Sequence, residues 1–211
     1  MGIYMGGQAP LPGLSERQQL QKRCFDITFA SIGLVALVWL ILLAYLVASL
    51  DTRSHGLFAQ QRVGRGGRLF TLYKIKTMRP RAHIHTTVTA ANDPRITRIG
   101  RLLRRTKIDE LPQLWNVLIG DMSFVGPRPD VPGFADRLGG EALAILSVRP
   151  GITGPATLRF RGEEELLAKQ PDPDTYNRTE VYPEKVRLNL EYLRHWGLMQ
   201  DVRLIWDTLV G

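Results

Sequence analysis

The dominant feature in the pattern of apolar and polar positions is an uncharged run of 24 residues, 27–50, ITFASIGLVALVWLILLAYLVASL. Coiled as one helix at 1.5 Å per residue it measures roughly 36 Å, enough to cross a hydrocarbon layer of about 30 Å. It begins too late, runs too long and ends without the small-residue cleavage pattern of a signal peptide. Arg17, Lys22 and Arg23 precede it, and Arg53, Arg62, Arg65 and Arg68 follow it. Basic residues beside membrane segments favour the cytoplasmic side. A segment that enters and returns keeps both flanks inside, whereas a plain span puts one outside. Charge alone leaves both open, and a buried core helix fits the length and uniformity less well.

Residues 1–13 are rich in Gly and Pro and read as disordered, and 14–23 as a short amphipathic lead-in. Two strand-like runs, 57–62 and 69–75, flank VGRGGR and predict a hairpin. In the second run Phe70, Leu72, Lys74 and Lys76 alternate onto one face. Two lysines there suit phosphate neutralisation, or equally an edge strand protected against aggregation. Ile96, Ile99, Leu102 and Leu103 share a helical face framed by Arg95, Arg98, Arg101, Arg104 and Arg105, after a turn at Asp93-Pro94. That pattern suits a helix lying in the interface of an anionic membrane; an ordinary surface helix or a nucleic-acid contact has the same appearance. A second helix is expected over 110–119, ending near Gly120. Residues 120–133 (GDMSFVGPRPDVPG) and 148–154 (VRPGITG) read as ordered loops, 163–168 as a short helix, and 186–210 as a closing helical segment interrupted at Gly197.

Charge narrows the partners. The 211 residues carry 28 Lys and Arg against 20 Asp and Glu, a net +8, which favours nucleic acid, anionic lipid or phosphorylated substrates. The single cysteine, Cys24, excludes an intramolecular disulfide framework. His83 and His85 have no Cys or acidic cluster beside them and read as a solvated loop rather than a metal pair.

Asp109 and Glu110 lie in KIDELPQLWN. With Asp109 as helix N-cap, Pro112 falls at the third helical position, where a missing N–H costs nothing, and two acids in the first turn suit the helix dipole. Alone, that structural account is the stronger one. The neighbouring arginines change the balance. Arg128 is fixed between Pro127 and Pro129, and Arg149 precedes Pro150-Gly151. Held arginines grip phosphate oxygens through paired hydrogen bonds, or else pair with a carboxylate or helix end. Adjacent carboxylates near such groups suit Mg²⁺, which takes one or two carboxylates plus substrate phosphates. A carboxylate can also attack phosphorus and form an acyl phosphate.

Taken in order, Lys22-Arg23 and Phe25-Asp26, Gln61-Arg62-Val63-Gly64, YKIKTM (73–78), IDELPQLWNVL (108–118), GDMSFVGPRP (120–129) and RPGITG (149–154) resemble the bacterial sugar transferases, the monotopic polyprenyl-phosphate phosphoglycosyl transferases. The resemblance runs from about residue 20 to the end. It implies transfer of a sugar-1-phosphate from a nucleoside diphosphate sugar to polyprenyl phosphate, usually undecaprenyl phosphate, with release of the nucleoside monophosphate. It implies Asp109 as nucleophile, Glu110 as its partner, and Mg²⁺ held by Asp109 and Glu110. Arg104, Arg128 and Arg149 fall where phosphates are held, and Lys74 and Lys76 lie in a motif of the same site. It implies a re-entrant helix at the cytoplasmic face of the bacterial inner membrane, anionic lipid as a partner and no nucleic acid. The expected fold is α+β and mostly helical, with a lead-in over 1–21, a re-entrant or spanning membrane helix over 22–53, and a cytoplasmic catalytic unit over 54–211 with a short β-hairpin and interfacial amphipathic helices.

Two departures stand out. Family members often break the membrane helix at a Ser-Pro pair, where this chain has Val38 and Trp39. After RPGITG many carry an aromatic and a later Gly-Arg, whereas here the run is PATLRFRG followed by Glu163, Glu164 and Glu165, so the sugar is not inferable. The rival classes are a membrane-tethered nucleic-acid binder, which lacks base-stacking aromatics among its arginines, and an inactive scaffold, which sits badly with an intact Asp-Glu pair.

Overall fold

The computed structural model describes residues 13–79 and 93–211. Helix α1, Glu16–Thr52, is one continuous α-helix of 37 residues, roughly 55 Å long. The lead-in and the apolar run thus form a single element. Ser15 starts it in a capping box with Gln18, and Arg53 ends it in the left-handed conformation. The helix passes through Val38 and Trp39 without a break.

Its apolar run is uniform in sequence but not in packing. Lys22, Asp26, Ala30, Ala44, Ala48 and Thr52 are its buried residues, spaced along one face. A Cβ added at Gly33, on the same face, would lie 3.2 Å from the Leu114 side chain. The opposite face stays bare, with Val35 and Leu50 about four-fifths exposed at 80% and 81%. Small side chains let neighbouring elements approach along the whole helix, so both its ends rest on the same body.

This changes the charge argument. Lys22 is buried and ion-paired to Asp201, and it lies over the rings of Tyr192 and Trp196. Arg23 donates to the carbonyls of Val117 and Leu118 at 2.6 Å each. Both are structural contacts of the folded body rather than free charges at a membrane flank.

Strands β1 (Leu57–Val63) and β2 (Leu69–Ile75) pair antiparallel, Val63 opposite Leu69 and Leu57 opposite Ile75, around a turn in which Gly66 and Gly67 take positive φ. The hairpin matches the sequence pattern. The two faces of β2 serve two cores. Phe70 and Leu72 pack with Ala30, Val117 and Met122, while Ile75 faces Ala44, Ala48 and Leu103. Lys74 lies on the Phe70–Leu72 face and is thereby aimed at the next helices.

Helix α2, Arg98–Arg105, is capped by Thr97, whose hydroxyl accepts from the Gly100 N–H. Of its apolar positions only Leu103 is buried; Ile99 and Leu102 are exposed. Helix α3 is Gln113–Ile119, closed by Gly120 at φ +96°. Residues 120–133 and 148–154, read from sequence as loops, contain β3 (Ser123–Val125) and β4 (Gly151–Thr153), which pair in parallel. Three-residue strands more than twenty residues apart leave no local signature. Glycine is required here: a Cβ at Gly126 or Gly151 would meet the facing backbone at 2.6 and 2.1 Å.

The C-terminal part comprises α4 (Pro155–Arg159), α5 (Glu163–Ala168), α6 (Pro173–Tyr176), α7 (Tyr182–Arg194) and α8 (Leu198–Val210), with Gly197 separating the last two as expected. Tyr192, Leu193 and Trp196 build a third core with Leu14, Val125, Ala144 and Val148. His83 and His85 lie outside the described residues.

Candidate active site

The Asp109-Glu110 pair sits in a joint between two helices, and the joint is not the one the helix-cap reading gives. After α2, Lys107 takes the left-handed conformation at φ 59°, uncommon for a residue with a side chain. Ile108–Glu110 then form one turn of 3₁₀-helix, and Pro112 at φ −60° occupies the N-cap position of α3. Asp109 caps nothing: no side-chain cap bond is made, and its Oδ1 is buried without a hydrogen-bond partner. The local sequence does not reveal this, because the reversal at Lys107 costs three residues that a regular helix start would have used.

The two carboxylates differ sharply. Glu110 Oε1 accepts from Lys74 Nζ at 2.8 Å and from Arg128 Nη2 at 3.3 Å. Burial alone would raise its pKa, but the charges of Arg128 and Lys74 outweigh burial and hold Glu110 below the usual carboxylate range. Asp109 is only 7% exposed. Burial, and then the charge of Glu110, push its pKa up to about 6, against the opposing charges of Lys74, Arg104 and Lys107. The pair therefore holds one permanently charged, clamped carboxylate and one that ionises near neutrality. That division is common where a carboxylate does chemistry.

The cations divide as well. The Lys74 pKa is lowered, first by burial, with Glu110 acting against the shift. The Arg128 side chain is 48% exposed, so its guanidinium pairs with Glu110 and still faces outward. Its loop is pinned on both sides: Arg62 Nη1 donates to Pro129 O at 3.2 Å, and Tyr182 Oη donates to Asp130 Oδ2 at 3.0 Å. Arg104 Nε donates to Thr77 Oγ1 at 3.1 Å, with its charge felt at Asp109.

Two expected residues are not brought to the pair. Lys76 Nζ donates to Ser54 Oγ at 3.1 Å, near the end of α1. Arg149 Nε donates to Gly120 O at 2.8 Å, at the far end of α3, where Arg23 holds the other last carbonyls. Burial and then the charges of Arg23 and Arg65 lower the Arg149 pKa. The proline clamp fixes the Arg149 backbone, and the Gly120 carbonyl takes its Nε, so Arg149 stands at the far end of α3 from the carboxylate pair. Sequence reasoning missed Lys107, Thr77 and Tyr182, whose parts lie in backbone reversal and long-range contacts.

Among the described residues no group of three or more His, Cys, Asp or Glu could alone hold a metal. The donor set at Asp109 nevertheless fits Mg²⁺. An unpartnered carboxylate oxygen beside a second carboxylate is what that ion uses when substrate phosphates complete its shell.

Comparison with known proteins gives the family. The undecaprenyl-phosphate glucose phosphotransferase of Komagataeibacter xylinus is 41% identical over 93% of this chain, which spans 36% of that protein. The UDP-glucose:undecaprenyl-phosphate glucose-1-phosphate transferase of Caulobacter vibrioides is 36% identical over 95% of the chain and 72% of its own length. The exopolysaccharide production protein PSS of Rhizobium leguminosarum is 37% identical over 90% of the chain and 94% of its own length. The family profile described as bacterial sugar transferase matches residues 17–211, so that all of α1 but its first residue, the hairpin, the carboxylate pair and the closing helices fall inside one match. The chain belongs to the bacterial sugar transferase family.

Proposed function

We propose that the protein transfers a sugar-1-phosphate from a UDP-sugar to undecaprenyl phosphate through a covalent intermediate on Asp109. A carboxylate oxygen of Asp109 attacks the β-phosphorus of the donor. The bond from that phosphorus to the oxygen bridging the α-phosphate breaks, and UMP leaves with the bonding electrons. A phosphate oxygen of undecaprenyl phosphate then attacks the same phosphorus, displaces the Asp109 carboxylate and forms the lipid diphosphate sugar. The observation that carries this reading is the buried, unpartnered Asp109 Oδ1 beside a clamped Glu110.

The side chains divide the work. A carboxylate that ionises near pH 6 is charged at neutral pH and little stabilised by hydrogen bonds, which favours attack. Arg128, paired with Glu110 yet half exposed, and Arg104 beside Asp109 are placed to offset charge developing on the transferred phosphoryl group. Lys74 fixes Glu110. Mg²⁺, held by Asp109 and Glu110 together with donor phosphates, would supply further charge neutralisation on the diphosphate.

The membrane enters through α1. A plain span would carry one end of the run roughly 36 Å from the catalytic unit, yet its buried stripe rests on that unit from Lys22 to Thr52. We infer that both flanks lie on the same, cytoplasmic side and that the bare outer face of α1 meets lipid. The arginines of α2 favour anionic headgroups.

The test is intact mass spectrometry of the protein with a panel of UDP-sugars, alongside an assay of UMP release. The expected result is a phosphosugar adduct that is absent from Asp109→Asn, with turnover reduced by at least about 10³-fold and stopped by excess chelator. Wild-type turnover in Asp109→Asn would refute the nucleophile.

A further inference from the structure

The clamp on Glu110 depends on Lys74 emerging from the correct face of β2, and β2 is held there by an unusual device. The hairpin is a sheet of only two strands, so the outer edge of β2 presents unpaired backbone groups. Asn116, in the middle of α3, is fully buried at 0% exposure. Its Oδ1 accepts from the Tyr73 N–H at 3.2 Å, and its Nδ2 donates to Thr71 O at 2.7 Å. The side-chain amide therefore bonds the strand edge as a third strand would, one donor and one acceptor across two alternate residues. The Asn116 carbonyl meanwhile accepts from the N–H groups of Gly120, Asp121 and Met122, which ties the same residue to the end of its own helix.

The position of this contact matters. Tyr73 immediately precedes Lys74 and Thr71 lies three residues before it, while Asn116 follows Glu110 by six residues. The contact thus joins the strand carrying the cation to the helix that continues from the carboxylate. Strand register is coarse: a slip of one residue turns every side chain to the other face. The apolar contacts of Phe70 and Leu72 are non-directional, whereas the paired bonds of Asn116 need an outward N–H and C=O two residues apart and so reject a slip of one residue.

We propose that Asn116 is a positioning residue that sets the registration of β2 against α3 and so places Lys74 on Glu110. Its bearing on catalysis rests on the Asp109 route proposed above; the placement of Lys74 does not.

The Lys74 resonance and the rate of adduct formation test this. In ¹⁵N-lysine-labelled wild type, the Lys74 ammonium should give a resonance protected from solvent exchange, assigned by its loss in Lys74→Met. In Asn116→Ser, measured on the folded fraction, that resonance should broaden or exchange like a free lysine. Asn116→Ser and Lys74→Met should each slow adduct formation per folded molecule by about 10-fold, and the double variant by the same amount rather than the roughly 100-fold of independent sites. Asn116→Gln, which keeps the amide, should recover more of the rate than Asn116→Ser. If Asn116→Ser only lowers the melting temperature while the Lys74 signal stays protected, Asn116 is a packing residue and the proposal fails. Should the serine variant not fold, Asn116→Asp, which keeps the size but loses the Nδ2 donor to Thr71 O, carries the same measurement, and an unchanged Lys74 signal with multiplicative rate losses in its double variant refutes the proposal. A lost Lys74 signal with unchanged adduct formation would instead count against the role given to the carboxylate pair.

Discussion

The two ends of α3 are both surrounded by cations, yet those cations are employed differently. At its start Lys74 and Arg128 meet Glu110, while the neighbouring Asp109 keeps a buried oxygen with no partner. At its end Arg23 and Arg149 meet the carbonyls of Val117, Leu118 and Gly120. The final carbonyls of a helix lack partners and carry partial negative charge, so arginines settle there as structure. At the start, charge is left over on one carboxylate and directed outward on Arg128. The difference teaches that an arginine held in a Pro-rich turn is no mark of substrate binding until its guanidinium's own partner is known.

The sharpest way to break the comparison, after loss of the nucleophile itself, is Glu110→Gln. It leaves the buried Lys74 without its countercharge, and both turnover and stability should suffer: about 10²-fold in rate and a lowered midpoint in denaturant unfolding. An unaltered midpoint would mean that the Lys74–Glu110 pair contributes nothing net.

Arg128→Ala and Arg149→Ala then set one end against the other. Arg128→Ala should cost about 10- to 100-fold in adduct formation with little change in melting temperature, because that side chain is half exposed. Arg149→Ala should lower stability by about 1–2 kcal/mol through the uncapped carbonyl and leave the rate per folded molecule within about threefold. The reverse pattern, a dead but stable Arg149→Ala, would move Arg149 into the substrate site.

A further effect concerns Asp109 and stability. Its folded pKa, about 6, lies above the ordinary 3.8. The unfolded chain therefore ionises first, and ionisation works against folding. This penalty is absent below pH 3.8, grows as pH rises through the window and is complete above about 6. At 1.36 kcal/mol per unit it amounts to about 2–3 kcal/mol. Asp109→Asn, for which loss of turnover is expected, should accordingly unfold at higher denaturant than wild type at pH 7.5, by about 2 kcal/mol, and the gain should vanish near pH 4. A gain of the same size at both pH values would locate its origin elsewhere than in charge burial.

Much of the molecule could be read along the chain, because the physics involved is local. The hairpin, the break at Gly197, the short helix after Gly162 and the proximity of a carboxylate pair to arginines are all carried by neighbouring residues. The parallel pairing of β3 with β4 was not visible, since strands of three residues acquire meaning only beside each other. Nor was the division between Lys74 and Lys76: both share a strand face, but one meets Glu110 and the other Ser54.

The sequence by itself determined the family motifs, the long apolar helix, the excess of positive charge and the candidate nucleophile. Only the tertiary structure decided which face of α1 is packed, that Lys22 and Arg23 are interior contacts, that Asp109 caps no helix, and that Arg149 belongs to the far end of α3. The physical reason is one of range. Helix, turn and hairpin preferences are set within a few residues, whereas burial and electrostatic partnership depend on groups brought together from distant parts of the chain. The raised pKa of Asp109 is of the second kind: it arises from burial and from the company of Glu110, opposed by Lys74, Arg104 and Lys107.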